Sequence, residues 1–271
     1  MSERIAFIGG GNMASAIIGG LIGQGYAPGQ LDVVEPFAAT RDKLKSSYGV
    51  SAQAEPGAFL SSATMVVWAV KPQTFREAAL QVRPHIQQAL HLSVAAGIRS
   101  NSIVNWLGTQ RVVRAMPNTP ALIGKGISGL FARPAVTAQD KQQVTQVMAD
   151  TGELLWVDVE EKLDVVTALS GSGPAYAFYF MEAMTTAGAE MGLTREQAQQ
   201  LAVATFIGAG ELVRSSGEPP KVLRQRVTSK GGTTDAAICS MEEDDMQAVF
   251  INALYAARRR AQELGDEFGK A

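Results

Sequence analysis

The 271-residue sequence has few of the residues that build disulfide frameworks or metal centres. Its single cysteine, Cys239, excludes an intramolecular disulfide and cannot form a thiolate metal cluster by itself. Only two histidines are present, His85 and His91, without a clustered set of other ligands. We therefore expect no metal site and assign both histidines solvated or helix-packing roles. The low cysteine content is typical of a protein from the reducing cytoplasm.

The sequence also lacks an excess of charge and a long apolar run. Its 24 basic and 26 acidic residues give a formal net charge of -2, which offers no electrostatic reason to expect nucleic acid or an anionic membrane as a partner. No apolar run reaches the roughly 18 residues that a membrane span needs. The N-terminus has no basic region followed by an apolar one, so no targeting segment is expected. A soluble chain with a small-molecule ligand is the expectation.

The first half of the sequence alternates short apolar runs with helix-like segments. The runs typical of strands are residues 4–8, 31–35, 65–70, 92–95, 111–115, 127–132 and 154–157. This alternation predicts an α/β fold with an N-terminal Rossmann-type, doubly wound, mostly parallel sheet. We place the end of this dinucleotide-binding domain near residue 160, giving domains of 1–160 and 161–271.

The second half, residues 161–271, is rich in helix-like segments. Residues 176–192 are nearly apolar all round, and a small domain offers few elements to cover such a helix. A partner chain is the expected cover, so we predict a homodimer at least. Thr194 and Gln197 have the spacing of a capping box before a second long helix, which we expect to end at Gly217. The C-terminal half is thus predicted to be an all-α dimerisation domain.

A glycine loop opens the predicted Rossmann domain. It matches G-x-G-x-x-A, follows a predicted strand and precedes a predicted helix, which is the context that dinucleotide binding requires. There, glycines let backbone N–H groups approach a pyrophosphate at a helix N-terminus. We favour a cofactor site over a packing turn and assign to it Gly9, Gly10, Gly11, Asn12 and Met13.

Glu35 ends the second predicted strand, where a carboxylate can accept hydrogen bonds from the adenosine ribose hydroxyls. A carboxylate about 4 Å from a 2′-phosphate would be repelled by roughly 1 kcal/mol per charge in water and about 4 at an effective dielectric near 20. Glu35 therefore favours NAD(H). Arg41, expected on the next helix, could partly offset the repulsion. An exposed strand-end residue without a ligand is the alternative for Glu35.

The next two strand ends supply further cofactor candidates, since open α/β sheets bind ligands at this edge. Ala69, Val70, Lys71 and Pro72 follow one strand, and Lys71 could approach the cofactor phosphates or ribose, or face solvent. Ala96 follows the next strand, where small side chains could let the backbone approach the nicotinamide. A simple turn explains Ala96 nearly as well.

Three later segments have the composition of ligand-binding turns. The loop at residues 116–121 carries two prolines around an Asn-Thr pair, and residues 170–174 place hydroxyls at a helix start. A structural turn for the first segment, and helix capping for the second, are interpretations as good as ligand binding. The turn at residues 229–234, Ser-Lys-Gly-Gly-Thr-Thr, could hold a carboxylate on consecutive backbone N–H groups.

The sequence Ser-Lys-Gly-Gly-Thr-Thr-Asp-Ala-Ala, preceded by Pro220-x-x-Leu223-x-x-x-Val227, resembles the signature of the pyrroline-5-carboxylate reductase family. The glycine loop and residues 69–72, 116–121 and 170–175 also resemble that family's blocks in the same order, which covers essentially the whole chain. The resemblance implies reduction of L-1-pyrroline-5-carboxylate to L-proline with NADPH or NADH, the last step of proline biosynthesis. It also implies dimers that interlock through their helical domains, while a higher assembly of dimers is left open.

By this resemblance, Ser229, Gly231, Gly232 and Thr233 bind the substrate carboxylate, while Thr234 hydrogen-bonds the ring nitrogen and is the catalytic candidate. A threonine hydroxyl is too weak an acid to be the proton source near neutral pH, so we expect it to orient an already protonated imine. Such an iminium needs no metal and no covalent nucleophile. If the helical domains interlock, the turn could face the glycine loop of the other subunit.

The sequence departs from the family's pattern at two positions, and two other functions are alternatives to the one that the resemblance implies. Many family members are regarded as NADPH-preferring, which Glu35 disfavours, and position 230 is lysine where some members have proline. A β-hydroxyacid dehydrogenase would need a catalytic lysine on the long interdomain helix, and residues 175–192 contain none. A non-catalytic nucleotide sensor would have no use for the second anion turn.

Overall fold

The computed structural model describes residues 3–86 and 88–269, and its main feature is an eight-stranded sheet among these residues. The strand order is β3-β2-β1-β4-β5-β6-β7-β8, and all neighbours are parallel except β6 with β7. The predicted mostly parallel, doubly wound sheet is confirmed. The strands are β1 (Ile5–Ile8), β2 (Leu31–Val34), β3 (Ala52–Gln53), β4 (Met65–Trp68), β5 (Leu90–Ser93), β6 (Val112–Met116), β7 (Gly126–Ala132) and β8 (Gly152–Val157).

Helices cover both faces of this sheet, and the side chains of its central strands are buried on both faces. In β1, Ile5 and Phe7 belong to one apolar core, and Ala6 and Ile8 belong to the core on the opposite face. This period of two is what a strand requires when both faces are covered. The helices of this part are α1 (Asn12–Gly23), α2 (Ala38–Tyr48), α3 (Pro72–Val82), α4 (Ser100–Leu107), α5 (Ala138–Met148) and α6 (Lys162–Val166).

A second compact unit consists of residues Gly173–Ala256, and the remaining described residues form the first unit. The helices from residue 173 onward are α7 (Gly173–Glu190), α8 (Arg195–Ser216), α9 (Pro220–Arg226), α10 (Thr233–Glu243) and α11 (Met246–Gly269). Residues 257–269 of α11 belong to the first unit. The division near residue 160 rests on the change from strand-like runs to helix-like segments in the sequence, and it stays a prediction.

The start and end of α8 confirm the capping prediction. The Thr194 hydroxyl accepts a hydrogen bond from the Gln197 N–H, and the Gln197 side chain accepts one from the Thr194 N–H. The helix ends at Gly217, whose φ of +64° is the left-handed conformation that favours glycine.

Large apolar side chains of the second unit lie in solvent when one copy of the chain is considered. Tyr179 is 70% exposed and Met191 is 81% exposed. None of the described helices is long and apolar enough to cross a membrane. The near-continuous apolar sequence of α7 predicts that another protein surface covers such side chains. Other members of this exposed set are Phe178, Leu201, Ile207, Leu212, Val249 and Tyr255.

His91 is buried in β5, so of the two roles expected for it, solvated or helix-packing, the solvated one is wrong. Its Nδ1 accepts a hydrogen bond of 3.1 Å from Trp68 Nε1, and the Trp68 ring stacks on Phe75 of α3. Burial, assisted by the positive charge of Arg111, lowers the pKa of His91 to about 3. His91 lies in an apolar strand, and the neighbouring residues do not indicate its hydrogen bond to Trp68, which is 23 residues away in the sequence.

We expect His91 to make the folded chain less stable in acid. Below pH 6.5, the ordinary pKa of histidine, His91 is protonated in the unfolded chain. In the folded chain it stays neutral down to about pH 3. The free energy of unfolding should therefore fall as pH decreases through this window, by up to about 1.4 kcal/mol per pH unit from this group. Denaturant unfolding of wild type and His91→Asn at several pH values measures the slope.

Asparagine keeps an acceptor for Trp68 but cannot titrate, so His91→Asn should have a shallower slope. His85→Asn removes the other imidazole and is the matched comparison. An unchanged slope in His91→Asn would show that the acid sensitivity arises elsewhere.

Candidate functional site

The carboxyl ends of β1, β2, β4 and β5 meet at one edge of the sheet. Ile8 pairs with both Val34 and Trp68, and Trp68 pairs with Ser93. Because strand order reverses between β1 and β4, this edge is a topological switch point, where open α/β sheets bind ligands. The chain segments that leave these strands carry all the predicted cofactor residues: Gly9, Gly10, Gly11, Asn12, Met13, Glu35, Ala69, Val70, Lys71, Pro72 and Ala96. We call this region the cofactor edge.

Gly9 and Gly11 are suited to their positions in the loop for different structural reasons. Gly9 has φ +95°, and a methyl group there would lie 2.6 Å from the Ala69 carbonyl oxygen. Gly11, the N-cap of α1, has φ -66°, and a methyl group there would meet no protein atom within 4 Å. Gly9 therefore closes the turn against the neighbouring strand. Gly11 leaves open space beside the first N–H groups of α1, which have no acceptor within the helix, and the binding of a pyrophosphate there stays a prediction.

Glu35 lies beneath the glycine loop and is only 5% exposed. Its Oε2 accepts a hydrogen bond of 2.8 Å from the Gly10 N–H, and its Oε1 accepts one of 2.9 Å from the Phe37 N–H. The alternative of an exposed strand-end residue is therefore wrong. The carboxylate ties the end of β2 to the glycine loop, and its predicted contact with the ribose stays a prediction.

Lys71 and Ala96 are exposed at the cofactor edge, whereas Glu35 is buried. Lys71 is the N-cap of α3, and its carbonyl accepts a hydrogen bond from the Thr74 hydroxyl at 3.1 Å. Ala96 follows β5 directly before Gly97, which has φ +72°. Both residues are accessible to a ligand, and the sequence-based alternatives for them stay open.

The loop after β6 is tied down by its own polar side chain. Asn118 Oδ1 accepts a hydrogen bond of 3.0 Å from the Ile127 N–H in β7. This contact supports the structural interpretation of the Asn-Thr pair. In residues 170–174, Ser170 lies in a π-helical turn, Thr167–Gly171, and its hydroxyl donates to the Val166 carbonyl at 3.1 Å. Ser170 is thus bonded to backbone and caps nothing in α7.

A buried ionic cluster beside β6 was missed in the sequence. Arg114 is 5% exposed, and its Nη1 donates to Glu160 Oε1 at 2.6 Å. Burial alone would raise the pKa of Glu160, but the charge of Arg114 and hydrogen bonds from Ser100 hold that pKa below its usual value. Arg99 pairs with Asp164 in the same cluster at 2.9 Å. The available signal was a lone arginine in the apolar run of β6, and the cluster anchors residues 160–164 to the sheet.

The turn at residues 229–234, here called the substrate turn, lies before α10 in the second unit. The Gly231 N–H donates to Asp235 Oδ2 at 2.8 Å, and the Gly232 N–H donates to the Ser229 carbonyl at 2.9 Å. These bonds already occupy two of the amides expected to hold a carboxylate. Thr233 and Thr234 begin α10, where first-turn N–H groups have no helical acceptor. The turn therefore keeps donors at Thr233 and Thr234, while its glycines shape it.

Comparisons with known proteins cover nearly the whole chain. Residues 160–264 match the family model described as pyrroline-5-carboxylate reductase dimerisation, and residues 4–97 match the model described as NADP oxidoreductase, coenzyme F420-dependent. A pyrroline-5-carboxylate reductase of Pseudomonas aeruginosa is 43% identical over 271 residues, covering 99% of both chains.

Solved structures agree with these matches. The pyrroline-5-carboxylate reductase structure from Coxiella burnetii has a TM-score of 0.90 and 38% identity, covering 97% of this chain and 99% of that one. The Plasmodium falciparum pyrroline carboxylate reductase, solved with NADP bound, has a TM-score of 0.86 and 27% identity, covering 97% and 98%. Fold and sequence therefore point to the same group of proteins.

Proposed function

The chain belongs to the pyrroline-5-carboxylate reductase family, and from this premise we propose how its residues divide the reaction between cofactor edge and substrate turn. The protein is an oxidoreductase that reduces L-1-pyrroline-5-carboxylate to L-proline with NAD(P)H, the last step of proline biosynthesis. The observation that carries the division is the open space at Gly11, because among the three glycines of the loop Gly11 alone has no protein atom within 4 Å of an added methyl group.

At the cofactor edge, the backbone N–H groups of Gly11 and Asn12 would hold the pyrophosphate at the start of α1, while the Gly10 N–H bonds to Glu35 and shapes the loop. Gly9 closes the loop, and Met13, on the first turn of α1, borders it. When bound, the nicotinamide would supply a hydride to the substrate carbon. The strand ends at residues 69–72 and at Ala96 would hold the rest of the cofactor.

In the substrate turn, the carboxylate of pyrroline-5-carboxylate accepts hydrogen bonds from the Thr233 N–H and the Ser229 hydroxyl. Gly231 and Gly232 contribute by holding the turn, since their own N–H groups already bond to Asp235 and Ser229. Thr234 Oγ accepts the N–H of the protonated imine. This bond fixes the plane of the C=N group, so that the carbon is presented to the hydride in one orientation.

The chain forms a homodimer, in agreement with the family's dimerisation domain and with the exposed apolar side chains of the second unit. We further propose that dimers associate into a larger assembly, because the exposed set extends over α7, α8 and α11. A cytoplasmic location is proposed on the single cysteine, which is typical of chains kept in a reducing compartment.

Oxidation of NADPH and NADH by the purified protein tests this function directly. We expect turnover with pyrroline-5-carboxylate and stoichiometric formation of L-proline, detected by chromatography. A panel of β-hydroxy acids with NAD⁺ and NADP⁺ is the control, for which we expect no turnover. Turnover with the hydroxy acids, but none with the cyclic imine, would contradict the proposal.

A further inference from the structure

The segment between β5 and α4 lies at the cofactor edge and consists of residues 96–99, which we call the β5 loop. Ala96 is exposed there. The chain turns at Gly97, whose φ of +72° is the left-handed conformation that favours glycine. Ile98 is buried, and Arg99 is the N-cap of α4. The loop thus presents backbone to the cofactor edge and is anchored by the two residues that follow.

The end of α11 packs against the β5 loop. A methyl group at Gly97 would lie 3.3 Å from Leu264 Cβ and 3.3 Å from Phe268 Cδ2. Residues 257–269 of this helix belong to the same compact unit as the sheet. Close-packed contacts of this kind leave the turn little room to shift toward the helix. The last turns of α11 therefore form one wall of the loop.

Arg99 connects the β5 loop to two neighbouring elements at once. Its Nη2 donates to Asp164 Oδ2 at 2.9 Å, and Asp164 is buried. The guanidinium also lies over Gly265 of α11, where an added methyl group would be 2.6 Å from Arg99 Nε and 3.0 Å from its Cζ. A buried carboxylate is costly to leave unpaired, so the arginine is held in this place. The side chain is wedged between Asp164 and the helix.

Ser100 adds a second connection to the same segment of the chain. Its N–H donates to Glu160 Oε1 at 2.6 Å, and its hydroxyl donates to Glu160 Oε2 at 2.5 Å. An N-cap side chain usually satisfies the first amides of a helix, but Arg99 makes no such bond in α4. The acceptors come instead from residues 160–164. Two consecutive residues after the loop are therefore fixed from outside their own helix.

We propose that Arg99 is a positioning residue for hydride transfer. Through Asp164 and the end of α11, it fixes the β5 loop, whose backbone then holds the nicotinamide ring in place against the substrate. A displacement of about 1 Å at a reacting centre can cost about 100-fold in rate, so a small shift of the loop is enough to matter. The inference rests on the proposed function, because it concerns the same reaction.

Gly265→Ala tests Arg99 without removing it. The added methyl group would lie 2.6 Å from Arg99 Nε, so the flexible guanidinium should move away from Asp164. We expect the single-turnover rate of hydride transfer, followed by NADPH absorbance, to fall about tenfold. The KM for pyrroline-5-carboxylate should change by less than about twofold, since the substrate turn is not involved. Alanine favours a helix over glycine, so the thermal midpoint should fall less than in Arg99→Ala.

Arg99→Ala removes the guanidinium and should lower the same rate by about tenfold. Adding Gly265→Ala to this variant should lower the rate no further, because the methyl group then has no guanidinium to displace. Arg99→Lys keeps the charge, and its rate should lie between those of wild type and Arg99→Ala. A loss of about 100-fold in the double variant would show that the two positions act separately, against the proposal.

Arg111→Ala is the matched control. Arg111 is also a partly exposed arginine that pairs with a buried carboxylate, Asp140, at 2.7 Å, but it precedes β6 at the opposite end of the sheet from the cofactor edge. This variant should have a lower thermal midpoint and a single-turnover rate within about twofold of wild type. An equal loss of rate in Arg111→Ala and Arg99→Ala would leave Arg99 only a general stabilising role and would overturn the proposal.

Calorimetric binding of NADPH and 2′-phospho-ADP-ribose tests the inference without turnover. The two ligands differ only in the dihydronicotinamide ring. Arg99→Ala should weaken NADPH binding by at least about threefold, as for one displaced hydrogen bond, and binding of the fragment by less than about twofold. Equal weakening of both ligands would overturn the proposal. A wild type that binds NADPH but does not reduce the cyclic imine would contradict the proposed function alone, and the ratio of affinities would still decide the role of Arg99.

Discussion

Gly9→Ala should abolish measurable cofactor binding and lower the stability of the protein. Alanine at φ +95° is strained, and its methyl group would lie 2.6 Å from the Ala69 carbonyl oxygen, which belongs to backbone and cannot rotate away. We expect a loss of at least about 2 kcal/mol in the free energy of unfolding. NADPH titration and thermal unfolding measure the two effects on the same preparation.

Gly11→Ala provides the sharper half of this experiment, because the same added methyl group meets no protein atom there. Its thermal midpoint should stay at the wild-type value, while cofactor affinity falls by at least about tenfold because the backbone can no longer approach the pyrophosphate closely. Gly29→Ala, at an open position away from the cofactor edge, should change neither quantity. Wild-type affinity in Gly11→Ala would remove the loop from the proposed cofactor site.

Thr234→Ala should lower kcat by about 100-fold, because loss of one positioning contact leaves the imine free to rotate away from the hydride donor. The dissociation constant of NADPH should change by less than about twofold, since the substrate turn is not proposed to touch the cofactor. Steady-state kinetics with pyrroline-5-carboxylate and a separate cofactor titration distinguish the two quantities.

Two conservative variants sharpen this test. Thr234→Ser keeps a hydroxyl and should retain most of the turnover. Thr233→Ala removes the neighbouring side chain but keeps the amide proposed to bind the carboxylate, so it should have nearly wild-type kinetics. If Thr234→Ala turned over substrate as the wild type does, Thr234 would have no part in orienting the imine.

Most of the fold could be predicted because its helices and strands are indicated by patterns of residues that are close together in the sequence. The apolar runs of the parallel strands, the glycines after β1, and the caps of α8 at Thr194 and Gly217 each depend on residues close together in sequence. The two-residue β3 was missed, since Ala52 and Gln53 are too few to form a pattern. Its pairing with β2 arises from the sheet rather than from its own residues.

The candidate site was only partly predictable, because its side-chain bonds depend on conformation. The sequence drew attention to Glu35 and Arg41, but not to the backbone N–H groups that donate to Glu35 or to the carbonyls that accept from Arg41. Likewise, Gly231 was expected to offer its N–H group to a ligand, whereas Asp235 occupies it. Which of several nearby donors bonds to an acceptor depends on small differences in distance, and the sequence alone does not specify these distances.

Because the second unit exposes apolar helices, the stability of the folded chain depends on the concentration of the protein. A newly made protomer must meet a second copy before α7 and α8 are covered, and until then those surfaces can bind any apolar partner. Dilution therefore acts on this protein as a destabilising condition, through mass action alone. The amount of enzyme in a cell would fall faster than its rate of synthesis, because scarce protomers spend longer uncovered and exposed to proteases.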